Sequence, residues 1–402
     1  WSAHPTLDGI GRYCSSDLAD ASAYTFTAGD GTVYGTDARI LLNGEEIGST
    51  GRAFAHLLTG AEANTVYELP RLGDFSWENA VASPFSQRKT VVLGLDDSSP
   101  GQVYFYVGDK QATGNDIEKA GLTNGKLFGL QIANPSTAPV TGGTELPGAT
   151  RPVESRPFAL GNSVDGRSES KPFTLYDFGD VSRTPGSAGN IATGTGLQQI
   201  GDRNSVLNFL RPEDGVFDPG NKNAAYFLTT DANTPAGGAS RIFKVEFSNI
   251  ETPEMGGIVS VLGESGASSY AGGLFSNTGA TTMEMADNMT AVLGDDGVTR
   301  LLIQEDVGGN ARLGRLWLYD TALDSLREVA INNAKFFTGS AITNPNFLTL
   351  DEETSGIIPA PWLGKGWFLM DMQAHYASST ELVEGGQLMA VFIPQTVPTP
   401  GA

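Results

Sequence analysis

The sequence predicts an all-β protein built as a β-propeller, and three observations carry that prediction. Its apolar runs are short, alternating or β-branched and bounded by Gly, Asn, Asp and Pro, and no long stretch has helical period. Gly is abundant (51 residues) and Pro common (21), as many short strands joined by many turns require. One unit recurs: an apolar strand ends in acidic residues, a loop follows, and a second apolar strand begins. The clearest copy is Leu301-Leu302-Ile303-Gln304-Glu305-Asp306, then Gly314-Arg315-Leu316-Trp317. Others begin at Val91 (through Asp96 and Asp97, then Gly101), Tyr226 (through Asp231, then Ser240) and Trp367 (through His375, then Gly386). A fainter copy begins at Arg39, passes through Glu45 and Glu46, and resumes at Gly51. Repetition of this kind is the signature of radial blades around a channel.

A second marker fixes the unit further. Glu78 and Glu213 each lie 15 residues before the middle of an acidic-ended strand, at Leu93 and Leu228, and Asp287 and Glu353 lie 16 before Ile303 and Leu369. Strands alternate faces and rise about 3.3 Å per residue, so this offset suits a strand, a turn and a return strand. Both acidic markers of a unit then fall toward one end of it.

Taken in order, residues 1–37 hold Cys14 and a Gly/Asp turn at Ala28–Gly31, and residues 38–77 complete the first unit. Residues 78–130 are the second, with an excursion at Asp116–Thr123. From 135 to about 201 the chain is rich in Gly, Ser, Thr and Pro and reads as a long loop or insertion packed over one face. Residues 202–250, 283–330 and 347–395 are the remaining units. Five visible units and an N-terminus that starts at Trp1 without an initiator Met predict six blades in one domain spanning 1–402, with an upstream segment removed or left out. Residues 396–402 resemble the junction before a sorting tail of bacterial surface proteins, which predicts export and a periplasmic, extracellular or cell-surface location.

Composition bounds the function. A net charge of −21 argues against a nucleic-acid partner, for which a basic face is expected. No apolar run approaches the 18 residues of a membrane span. A single cysteine, Cys14, leaves no internal disulfide. No P-loop, G-x-S-x-G triad setting or C-x-x-C pair occurs.

The acidic markers are the candidate chemistry. Glu45, Glu46, Asp96, Asp97, Asp231, Glu305 and Asp306 come from equivalent positions of different units, and Glu78, Glu213, Asp287 and Glu353 form the second set. Equivalent positions of a propeller converge on one end of its channel, where clustered carboxylates repel unless protonated or bound to cations. Oxygen donors at this density suit Ca²⁺ and also Fe³⁺ or Mn²⁺. Ordinary turn residues with Asx-type hydrogen bonds are the bland alternative. Arg211, two residues before Glu213, offers a guanidinium fork to a phosphoryl oxygen or to a neighbouring carboxylate. Gln373 and His375 share a strand face and suit a role at a metal or a structural hydrogen bond. Cys14 is an inert thiol or a thiolate ligand.

The set Asn43-Gly44-Glu45-Glu46, Arg211-Pro212-Glu213, Gly314-Arg315-Leu316-Trp317, Glu353-Thr354-Ser355-Gly356 and Gln373-Ala374-His375 resembles the PhoX-type alkaline phosphatase family, in the same order over most of the chain. The resemblance implies an exported six-bladed propeller whose axial site holds ferric and calcium ions and hydrolyses small phosphomonoesters. It implies Glu45 or Glu46, Glu213, Glu305 or Asp306, and Glu353 as metal ligands and Cys14 as the iron thiolate. The sequence departs from the family pattern at Leu42-Asn43-Gly44, where a Thr-Cys is expected, and at Tyr376-Ala377, where a Pro-Gly is expected. A non-catalytic, calcium-stabilised surface propeller that serves in homomeric or matrix assembly is the alternative expectation, and a lactonase-type calcium propeller shares the same fold logic.

Overall fold

The computed structural model describes residues 9–133, 135–139, 150–153, 169–182, 194–230, 240–264, 283–309, 312–377 and 384–394. Asp231 and the tail 396–402 lie outside these. The chain forms two compact units: one of residues 1–159, 171–212 and 246–259, the other of 160–170, 213–245 and 260–402.

The first unit contains two antiparallel meanders. One has the strand order Tyr13–Asp17, Ile40–Glu45, Ala53–Leu57, Thr65–Glu68. In the other, Trp77–Ala82 pairs with Lys89–Asp96, which pairs with Gly101–Asp109, and Lys126–Ile132 follows. Residues 173–179 of the strand Glu169–Gly179 add a fifth member beside Lys126–Ile132. The stretch 135–201 therefore carries more regular structure than its composition suggested. Its described parts include the strand pair Ser136–Pro139 and Thr150–Val153 and the helix Gly194–Arg203. The excursion within residues 78–130 is a one-turn helix, Asp116–Lys119, closed by a reciprocal Asn115–Glu118 capping box.

The second unit holds the greater part of the strands Pro212–Phe217, Ala224–Thr229, Arg241–Phe247 and Gly257–Glu264. It also contains the meander Ala286–Leu293, Thr299–Glu305, Arg315–Asp320, Ser325–Ile331 and the three-stranded sheet Glu352–Pro359, Trp367–Ala377, Glu384–Phe392. Each repeat read from the sequence thus contributes a run of sequence-adjacent strands paired in order. The central strands are buried on both faces: every residue of Thr90–Asp96 and of Leu301–Glu305 is buried. This is why they read as unbroken apolar runs instead of alternating ones.

The edges of these sheets are set by local devices. In the first strand of three sheets the pairing register slips, at Cys14–Ser15, at Glu78 and at Asp287–Asn288. A bulge inserts an extra residue and re-aims its side chain, so the same irregularity presents a candidate ligand in each of three repeats. Glu353 lies in regular pairing opposite Gln373, with the slip three residues later.

Gly44 shows how the packing constrains the motif around Glu45. The Trp77 indole is buried, stacks on Phe75 with ring centroids 3.9 Å apart, and lies against Gly44. A Cβ on Gly44 would sit 2.3 Å from Trp77 Cβ and Cγ. Gly44→Ala is expected to destabilise the protein by about 1–3 kcal/mol through overpacking, read as a lower denaturant midpoint at unchanged slope. A neutral result would mean that Trp77 moves freely.

Candidate metal centre

The acid pairs at the strand ends divide their roles by strand alternation. In Glu45–Glu46 the first residue points inward and meets Arg52. The guanidinium binds the Glu45 carboxylate through Nε at 2.7 Å and Nη2 at 2.7 Å, and the amides of Gly11 and Arg52 donate at 2.6 and 3.1 Å. Burial pushes the Glu45 carboxyl up, but these donors together hold it below its usual value. Glu305 repeats the arrangement. Arg312 donates through Nη2 at 2.7 Å and Nε at 3.2 Å, Trp317 Nε1 at 2.8 Å and the Glu284 amide at 3.0 Å. Here burial outweighs the donors, and the carboxyl lies above its usual value.

Asp96 holds the same place in its repeat with the Ser98 hydroxyl at 2.8 Å as a donor. Burial pushes its carboxyl up to about 7, so it carries a proton at mildly acidic pH.

The second acid of each pair emerges where the candidate ligands gather. In the first unit the ligand atoms of Cys14, Glu46 and Glu78 all lie within 4.8 Å of one another. Cys14 Sγ donates to Glu78 Oε1 at 3.3 Å, and Ser15 Oγ donates to the same oxygen at 3.1 Å. Burial raises the Glu46 carboxyl, while the Arg12 ion pair lowers it in part. Asp97 accepts both arms of Arg211, Nε at 2.8 Å and Nη2 at 3.2 Å. Arg211 has a φ of 57°, in the left-handed region that non-glycine residues enter at a cost, and its amide donates to Ser98 O at 3.1 Å.

In the second unit Asp306 bridges backbone-to-backbone with Glu353. Burial and then the Glu353 charge raise the Asp306 carboxyl, while the Gly308 amide, donating at 2.9 Å, opposes that rise. His375 stands between two carboxylates, with Nδ1 2.7 Å from Glu384 Oε2 and Nε2 3.5 Å from Glu353 Oε2. Its hydrogen bond to Glu353, and then that to Glu384, push the ring up to about 9. It is an imidazolium at neutral pH, with both nitrogens donating. Gln373 donates to Glu353 Oε1 at 3.3 Å.

The structure thus brings Cys14, Glu46 and Glu78 together, joins Asp97 to Arg211, and joins Asp306, Glu353 and His375. It turns Glu45 and Glu305 onto arginines. Glu213 is buried at the start of its strand, and Asp287 is buried beside Asn288, which donates to it. Arg52, Arg312, Arg12 and Glu384 were not anticipated. The first two had a signal, since each follows its glutamate by seven residues in two separate repeats.

No protein-family model matches the chain, and no curated protein sequence does. Among solved structures, it is similar to PhoX of Pseudomonas fluorescens in complex with vanadate, a transition state analogue. The two share 13% identity at a TM-score of 0.57, over 85% of this chain and 57% of that one. The chain has a β-propeller fold. It spans little more than half the length of PhoX. Putative 6-phosphogluconolactonases of Bacteroides fragilis and Bacteroides uniformis align at 12% and 11% identity with TM-scores of 0.33 and 0.29. Those alignments cover 92% and 94% of this chain and 84% and 88% of theirs. Among the described residues no helix is long and apolar enough to cross a membrane.

Two outcomes follow from the inner acids. Arg312→Met removes the nearer cation of buried Glu305, leaving Arg315 Nη1 at 4.0 Å, and is expected to cost about 3–5 kcal/mol, part of which Glu305→Gln restores in the double variant. For Asp96, the unfolded carboxyl ionises near its ordinary value of 3.8 and the folded one at about 7. Between these values the native state holds a proton that the unfolded chain has released, so this group's contribution is full below about pH 4 and lost as pH rises through 7. Asp96→Asn is expected to flatten the stability–pH curve in that window by up to about 1.4 kcal/mol per pH unit relative to wild type. Parallel curves for the two proteins would contradict the assignment.

Proposed function

We propose that this protein is an exported, metal-dependent phosphoesterase that hydrolyses phosphomonoesters in the manner of PhoX-type enzymes. The observation that carries this reading is the convergence of Cys14, Glu46 and Glu78. One thiol and two carboxylates within 4.8 Å are a donor set for a hard or borderline transition metal such as Fe³⁺. The fit is further supported by the chemistry of the second unit, where Asp306 and Glu353 offer oxygen donors alone, the set that Ca²⁺ prefers. Glu213 and Asp287, presented from their own strands, complete the proposed ligands.

Bound cations would supply Lewis acidity toward the phosphoryl oxygens, activate a water, and make an acidic protein attractive to an anionic ester. The remaining steps belong to side chains of the chain. Arg211 already holds a carboxylate with both arms of its fork, a geometry that also fits two oxygens of a phosphoryl group. Its constrained backbone holds that fork in place. His375, protonated at neutral pH, orients Glu353 and Glu384 by donating to both, which suits a positioning role better than that of a base.

A second reading rests on a separate observation. Arg12 and Arg211 bind Glu46 and Asp97, so guanidinium cations alone neutralise part of the acidic set. A calcium-stabilised, non-catalytic surface propeller would use the acids in that way.

The deciding experiment is elemental analysis of the purified protein beside a phosphomonoester assay with and without calcium. Iron together with calcium, and calcium-dependent turnover that falls at least about tenfold in Cys14→Ser, is the expected result. Calcium without iron, no turnover on any ester, and a melting temperature that drops on chelation would replace the phosphoesterase with the structural reading.

A further inference from the structure

A cavity of about 630 Å³ is lined wholly by residues of the second unit, none of them acidic. One wall is a face of the three-stranded sheet. There Thr354 pairs with Met372, and Met370 with Met389, so these side chains share one side of the pleat. The opposite wall is the end of the strand Ser325–Ile331 and the aromatic pair Phe336–Phe337 of the helix Ala334–Phe337. In a chain of net charge −21, no described residue lining this cavity is charged.

The cavity opens to solvent past the exposed residues Ala330, Ile331, Gln387 and Ala390, and its volume suits a ligand. Native interiors leave few voids larger than a water molecule, whereas drug-sized ligands occupy about 300–1,000 Å³ of mostly apolar space with a few polar groups. Three methionines and two phenylalanines give a soft, polarisable lining that adapts to flat or branched apolar bodies. Two side chains lining it carry a buried atom with no hydrogen bond among the described residues: the hydroxyl of Thr354, which is 3% exposed, and the amide nitrogen of Asn332. A buried hydroxyl left unpaired is costly unless something satisfies it.

We propose that this cavity binds an uncharged, largely apolar molecule, aromatic or aliphatic, whose single hydroxyl or carbonyl group hydrogen-bonds Thr354. The missing charges exclude the phosphate esters of the metal centre, so this is a separate site with its own ligand class. A threonine hydroxyl both donates and accepts, so it serves an alcohol or a ketone.

The test uses N-phenyl-1-naphthylamine, an uncharged fluorescent probe, on the intact protein. Saturable binding of one probe per chain is expected, displaced by 2-naphthol more effectively than by naphthalene by about two- to tenfold, the range of one neutral hydrogen bond. Thr354→Val, which keeps the shape and deletes the hydroxyl, should bring the two competitors to equal potency while leaving probe affinity within about twofold. Met372→Trp and Ala330→Phe fill the space from opposite walls. Each is expected to weaken the probe at least tenfold with a cooperative thermal transition retained. Failure of the wild-type protein to bind the probe saturably overturns the proposal whatever the variants do. So does probe binding unchanged in folded Met372→Trp and Ala330→Phe, and a preference for 2-naphthol that survives Thr354→Val removes the assigned hydrogen bond.

Discussion

A carboxylate carried on a buried strand must be neutralised, and much of the site follows from that constraint. The repeats end their second strand with an acid, and that strand is buried on both faces, so the first acid of each pair enters the interior. Three solutions to the same electrostatic problem appear. Glu45 receives Arg52 and two amides, Glu305 receives Arg312, Trp317 and an amide, and Asp96 retains its proton beside a serine hydroxyl. Removing the inner charge in this way leaves the outer acid, one residue on and on the other side of the strand, to gather with the bulged residues of the neighbouring strand. Burying the first carboxylate is what orients the second.

The bulges are the other half of that geometry. A regular antiparallel strand would place Cys14, Glu78 and Asp287 strictly in or out of the pleat, in step with their neighbours. The register slips at these three positions break the alternation locally, so a thiol or carboxylate can be presented while the residues on either side continue to pack. Trp77, immediately before Glu78, shows the benefit: its indole fills the space over Gly44 and stacks on Phe75 while the next residue turns to Cys14. Core and site are thereby coupled through adjacent residues, and the glycine in the Glu45 motif is needed by the core of the next sheet more than by the chemistry beside it.

The fold was legible because blades are short repeats, and repetition survives divergence that erases motifs. Acidic strand ends located paired strands in all five repeats, four of them marked by a second acid at a fixed offset, and continuous apolar runs followed from burial on both faces. The site was legible in kind but only partly in detail. Residues at the strand ends are specified by position, so Glu46, Glu78, Asp97 and Glu353 could be picked out. Which member of Glu45–Glu46 or Glu305–Asp306 turns outward depends on strand phase, and on arginines whose importance shows only when two repeats are compared at a spacing of seven. His375 was visible as a polar residue in an acidic slot. Its charge was not, because that depends first on Glu353 and then on Glu384, which approach it from the strands on either side. The stretch from 135 to 201 misled for the opposite reason. Its Gly, Ser, Thr and Pro content hid the strand Glu169–Gly179, whose apolar residues Phe173, Leu175, Tyr176 and Phe178 fall in the part that pairs with Lys126–Ile132.

The electrostatic state of the outer acids links stability to ligand. Burial and like charge raise Asp306, and burial raises Glu46, the reverse of what ion pairs do to exposed carboxylates. A set of acids held above their ordinary values is a set whose ionised form the fold does not stabilise by itself. Arg12 and Arg211 offset part of that cost, but arginine is singly charged and bulky. A small multivalent cation contacts several carboxylates at once and returns the ionisation energy of all of them to the folded state. Any cation bound by these residues therefore acts on the native state and on chemistry through the same interaction. The arginines that neutralise carboxylates without it are the groups it would release, and Arg211, the one with a constrained backbone, is then left facing whatever anion arrives.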